Sequence, residues 1–110
     1  MPIILTTPFD PGDTDPGQTY AAVQIVSMRW ALSGYVEVEC QHGNVVAGAW
    51  VPGSKPTTWH SIADNPKTGD KDYSAIVTTK PLEGESVYAG AGRGLYEHLV
   101  AKGIYPGTVV

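Results

Sequence analysis

Cys40 and His42 stand two residues apart, so on a continuous strand both would point to one face, where His60 or His98 could complete a zinc site. The chain has one cysteine and three histidines. Cys40 would share its face with Val36 and Val38, and His42 opens a His-Gly-Asn turn signal, so the pair reads as a core thiol and a turn histidine. Asp10, Asp13 and Asp15 are raw material for a calcium loop, but the D-x-D-x-D-G spacing and the closing Glu are missing. They read as solvated turn residues. Glu37 and Glu39 lie about 7 Å apart along a strand, inside the carboxyl separation of inverting glycosidases, yet on the face assigned to water. A small hydrolase would rest on Glu37 or His60. The Ala-Gly-Ala-Gly-Arg-Gly run at 89–94 suggests a phosphate loop, but no G-K-[ST] follows, and no G-x-S-x-G elbow supports a triad. No catalytic, metal or cofactor residue is expected, and the chain is read as a non-enzyme. Trp30, Trp50 and Trp59 remain, with Tyr35 across the sheet. As a stacking surface for sugar rings, Tyr35, Trp50 and Trp59 form the candidate ligand platform; as core or interface residues, they suit any place where an apolar body needs a wet tip.

These residues sit in a chain of 110 residues with formal net charge −4, one domain's worth of sequence that buries roughly 65% of its unfolded surface. Apolar residues make up 42% and charged residues only 16%, which excludes a disordered chain. Seven Lys and Arg against eleven Asp and Glu, with no basic cluster, leave no electrostatic footprint for nucleic acid or anionic lipid. The single cysteine precludes an internal disulfide framework, and no apolar run nears the ~20 residues of a membrane span. The Met-Pro-Ile start lacks a basic n-region and a long apolar stretch, so synthesis in a reducing cytoplasm is expected.

Residues 20–29 read as a strand buried on both faces for part of its length, with Val23 and Ile25 on one side and Ala22, Val26 and Met28 on the other. Residues 35–41 alternate cleanly, Val36, Val38 and Cys40 inward and Tyr35, Glu37, Glu39 and Gln41 outward. A turn at 42–44 returns the chain as strand 45–51, and a short strand at 57–62 with Trp59 and Ile62 completes a meander. Residues 63–71 form an exposed loop, the most mobile internal segment expected. Residues 73–79, capped by Asp72, fit either helix or strand. Ser86 caps the principal helix, whose Val87, Ala91, Leu95 and Leu99 recur every fourth residue until Gly103, and in which Gly90 and Gly94 form a small-residue surface for close packing. The apolar tail 104–110 packs. The fold class is α+β: a small antiparallel meander or sandwich with one C-terminal amphipathic helix in a domain of residues 20–110, preceded by an extended arm of residues 1–19.

That arm carries Pro8, Pro11 and Pro16 with Gly12 and Gly17, which exclude regular helix, and Ile3, Ile4, Leu5 and Phe9, which need burial. It either lies across its own domain or docks on a neighbouring subunit, and the second reads as assembly. The segments TTPFDPGDTDPGQTYAAVQIV, GAWVPG and GRGLYEHLVAKGIYPGTVV together resemble small virion-associated structural proteins of tailed bacteriophages. The resemblance spans nearly the whole chain and implies a decoration, connector or tail subunit in the virion. It implies copies of the chain and other virion proteins as partners. The arm's own apolar residues, Ile3, Ile4, Leu5 and Phe9, are the expected anchors of such an assembly. The alternative expectation is a carbohydrate- or receptor-binding module.

Overall fold

The computed structural model describes residues 2–12, 16–53 and 56–110. One antiparallel sheet is built from β1 (Ile3–Phe9), β2 (Tyr20–Ala31), β3 (Tyr35–Val46), β4 (Ala49–Pro52), β5 (Thr58–Ala63) and β6 (Gly107–Val109), and it is joined by helices α1 (Asp72–Val77) and α2 (Val87–Ala101). The spatial order is β4-β3-β2-β1-β6, with β5 pairing the same β3 edge as β4. β5 takes the first half of β3, from Tyr35 opposite Ala63 to Cys40 opposite Thr58, and β4 takes residues 43–46. The fold is thus α+β with the long helix near the C-terminus, as the periodicities predict. Residues 73–79 resolve as helix over Asp72–Val77. No described helix is long and apolar enough to cross a membrane.

Three expectations about the strands change. Ile3–Phe9 is not a separate arm but a strand of the sheet, lying between β2 and β6 with Ile3 opposite both Val23 and Val109. Of the two placements open to it, the chain takes the one across its own domain. The hairpin turn is at Ala47-Gly48 rather than at 42–44, because these two residues adopt φ of 52° and 80°, the left-handed pair that a two-residue hairpin turn requires. β3 therefore runs on through His42, which is a buried strand residue and not a turn residue. The faces of β2 also differ from simple alternation. A bulge between Ile25 and Ser27 inserts Val26 and reverses the parity, so Met28 joins Val23 and Ile25 on the core side.

The core lies between one sheet face and the helices. Ile3, Val23, Val36, Val38 and Cys40 meet Ile76 of α1, Leu95, Tyr96 and Leu99 of α2, and Tyr105 beyond it. Ser86 caps α2 as expected, its Oγ accepting the Ala89 N–H at 3.0 Å. Lys71, not Asp72, is the N-cap of α1 and makes no side-chain cap bond; Asp64 reaches across instead and accepts the Ser74 N–H at 2.9 Å. Val87 stays outside the core at 78% exposure, so the buried stripe of α2 begins at Gly90 and continues through Gly94, Leu95, Tyr96 and Leu99. Those two glycines do allow close packing: a Cβ on either would touch the connection before the helix, Pro81 at 3.2 Å from Gly90 and Thr79 at 3.1 Å from Gly94. The loop at 63–71 is exposed but holds its own bonds, with an Asn65–Asp70 bridge and the Asn65 side chain accepting the Lys67 N–H at 2.9 Å.

Two glycine replacements should move stability in opposite directions. A Cβ at Gly43 would meet the Val51 carbonyl and fall 2.7 Å from the Trp50 ring, so Gly43→Ala is expected to cost about 1–3 kcal/mol in urea unfolding. Gly92 lies inside α2 with nothing within 4 Å of where an added methyl would sit, so Gly92→Ala should add about 0.5–1 kcal/mol. A Gly43→Ala protein as stable as the parent would show that the Trp50 ring does not lie over this strand.

Candidate assembly interface

The helices leave the second face of the sheet bare. On β3 this face carries Tyr35, Glu37, Glu39, Gln41, Gly43 and Val45, the residues alternating with the buried Val36, Val38, Cys40 and His42. Register sets the neighbours: Trp50 lies opposite Val45, Trp59 opposite Glu39, Arg29 opposite Glu37 and Ile4 opposite Ala22. Pro2, Ile4, Gln24, Val45, Trp50 and Val110 line one shallow depression of about 320 Å³ at one end of the face. Ile4, Val26, Val45, Trp59 and Val110 are between 36% and 62% exposed. The other end is charged and wet. Arg29 lies 5.1 Å over the Trp59 ring and 3.6 Å from the Glu37 carboxylate, while Glu39 accepts a hydrogen bond from the Thr57 hydroxyl.

The sequence candidates distribute unevenly over this geometry. Among the arm anchors, Ile3 is fully buried in the core of its own chain, Leu5 packs against that core, and Phe9 stacks on His42 with ring centroids 4.2 Å apart. Only Ile4 presents its side chain to the bare face. The residues expected to reach a neighbour therefore serve mainly to close this domain, because β6 and β2 already flank their strand. The aromatic platform is not assembled either. Trp50 and Trp59 sit opposite β3 residues six apart, roughly 20 Å along the strand, and Tyr35 is four residues beyond Glu39, roughly 13 Å. Trp30 belongs to the opposite face, near Tyr73 at 6.2 Å. Glu37 and Glu39 share the bare face but are engaged with Arg29 and Thr57. Val45, Gln24 and Val110 are not among the sequence candidates; the alternation of residues 41–45 carries a signal for Val45, obscured by the turn signal at 42–44, and no such signal marks Gln24 or Val110.

On the helix side, Cys40, His42 and His60 converge on Tyr105 rather than on a metal. The Tyr105 hydroxyl lies 2.7 Å from His60 Nε2 and bonds the Cys40 sulfur, and the rings of His42 and His60 meet it edge-on at 5.6 and 5.3 Å. His98 stands apart on α2, and no group of three or more His, Cys, Asp or Glu among the described residues could hold a metal ion. Asp10 accepts the Gly12 N–H at 2.8 Å in a turn, and Asp13 and Asp15 lie outside the described residues. Burial pushes the Cys40 thiol up to about 12, outweighing the Tyr105 hydrogen bond, and raises Tyr105 well above the usual phenol range. Burial lowers His60, and it lowers His98 despite the opposing pull of Asp72. Set against known proteins, the chain matches no family model, no curated protein and no solved structure.

These shifts fix the direction of a pH profile. Below the ordinary imidazole value of 6.5 the unfolded chain takes up protons that folded His60 and His98 resist, so stability should fall as the solution is acidified. Above 9.0 the unfolded Cys40 ionises while the folded thiol keeps its proton up to about 12, so stability should also fall on the alkaline side. Urea midpoints measured from pH 5 to 11 should trace a plateau between those limits, and Cys40→Ser should remove the loss that begins near 9.0 while leaving the part above 10.0 that the buried Tyr96 and Tyr105 contribute. An alkaline arm unchanged by that substitution would assign the loss to other groups.

Proposed function

We propose that this chain is a non-enzymatic structural subunit that joins copies of itself through the bare face of its sheet, as a capsid decoration, connector or tail component of a phage particle. The observation that carries the reading is the composition of that face. An antiparallel sheet with one wet side normally turns polar residues to solvent, whereas here Ile4, Val45, Trp50, Trp59 and Val110 occupy it beside Gln24, Arg29, Glu37 and Glu39. An apolar patch rimmed by polar groups is the anatomy of a protein–protein surface.

The partner that fits is a second copy. The face carries both signs of charge in one row, Arg29 opposite Glu37, beside an apolar end, so it is self-complementary in the sense that an isologous contact between two copies requires. The resemblance to small virion-associated proteins supports placing such a subunit in a phage particle, where repeated copies multiply a modest pairwise contact.

Light scattering on a sizing column should give a multiple of the chain mass that shifts toward monomer on dilution. Val45→Glu puts a charge in the middle of the apolar end without touching the core, and should yield a folded monomer with unchanged far-UV circular dichroism. A parent chain that stays monomeric at every concentration, or a Val45→Glu protein of the parent's mass, overturns the reading.

A further inference from the structure

A second concave site lies on the helix side of the sheet, away from the proposed interface. Between Ile4 opposite Ala22 and Phe9 opposite Tyr20, β1 places four residues against one of β2, so residues 5–8 bow away from β2 while Leu5 stays opposite Gly107 of β6. The bow and the turn after α2 enclose a pocket of about 580 Å³, within the range of small-molecule sites. Leu5, Pro8 and Phe9 form one wall, Ile104 and Pro106 the other, and His42 with Tyr105 the aromatic floor. The rings are braced: Phe9 stacks on His42, Tyr105 meets His42 edge-on, and the Tyr105 hydroxyl is held by His60. Such a surface is preformed.

The charge is one-sided. Among the described residues Asp10 is the only carboxylate lining the pocket, no Lys or Arg lines it, and the turn bond from Gly12 N–H holds the Asp10 carboxylate at the rim. Aromatic faces favour cations, and a rim carboxylate repels anions. We propose that this pocket binds a small organic cation, an ammonium group carried on a flat apolar body. The body lies against Phe9 and Tyr105, the ammonium faces Asp10, and the Thr6, Thr7 and Thr58 hydroxyls that line the pocket accept its remaining N–H groups.

Three probes with one apolar body separate charge selection from greasy contact: 2-phenylethylamine, 2-phenylethanol and 3-phenylpropionate, titrated into the full-length isotope-labelled chain and followed by amide chemical shifts. The amine should perturb Phe9, Asp10, His42 and Tyr105, bind about fivefold tighter than the alcohol, and leave the carboxylate weakest. Asp10→Asn retains an acceptor for the Gly12 N–H and should erase the difference between amine and alcohol while the remaining spectrum is unchanged. Absence of shifts at these residues with the amine, equal affinity for all three probes, or an amine preference that survives Asp10→Asn would overturn the proposal.

Discussion

A sheet has two faces, and this chain has helices for one. Neighbouring strands lie about 4.8 Å apart, so a sheet five strands wide spans roughly 24 Å, while a helix with its side chains covers about 10 Å. α1 and α2, packed against each other, roughly match the width of the sheet, and among the described residues no further helix remains to cover its back. Everything else follows from where that cover is laid. The inward residues of β3 become the core, its outward residues become surface, and the chemical character of that surface decides what the protein can join.

Two irregularities in strand pairing adjust this plan. The bulge in β2 brings Met28 into line with Val23 and Ile25, which widens the apolar floor under the helices. At the same place the Ile25 N–H donates to the Tyr96 hydroxyl at 2.8 Å, so a helix side chain takes a backbone donor where the ladder is disturbed, and α2 is pinned to the centre of the sheet. The bow in β1 has the opposite effect. It lifts residues 5–8 away from β2, and the space so opened becomes a pocket instead of core. Where β2 begins, Asn44 repairs the ladder by accepting the Ala21 N–H and donating to the Thr19 carbonyl.

Strand alternation was legible wherever both faces differ in polarity, as in residues 35–41, and the periodic Leu95 and Leu99 with the Ser86 cap marked the long helix. Parity across the β2 bulge was not legible, because an inserted residue leaves no mark in a segment apolar on both sides. The His-Gly-Asn tripeptide reads as a turn by local propensity, yet Gly43 serves there to admit the Trp50 ring over the strand, a tertiary reason that composition does not reveal. Ile3 and Phe9 needed burial, as their types require. That their burial would be within the chain depended on β6 arriving from the far end of the sequence to flank them. The convergence of Cys40, His42 and His60 on Tyr105 has the same origin, since Tyr105 lies forty-five residues beyond His60.

The bare face and the pocket lie on opposite sides of one sheet, and they share strands but not side chains. β1 contributes Ile4 to the face and Leu5 and Phe9 to the pocket; β3 contributes Val45 to the face and His42 to the pocket. A partner stacked on the face therefore leaves the pocket open, and a ligand in the pocket touches no residue that the partner covers. The two remain mechanically linked, because strand alternation makes neighbouring residues of one strand serve opposite faces and any change in the bow of β1 displaces Ile4 as well as Phe9. On the proposed reading, one side of the sheet holds a neighbouring copy and the other stays free for the ligand proposed for the pocket.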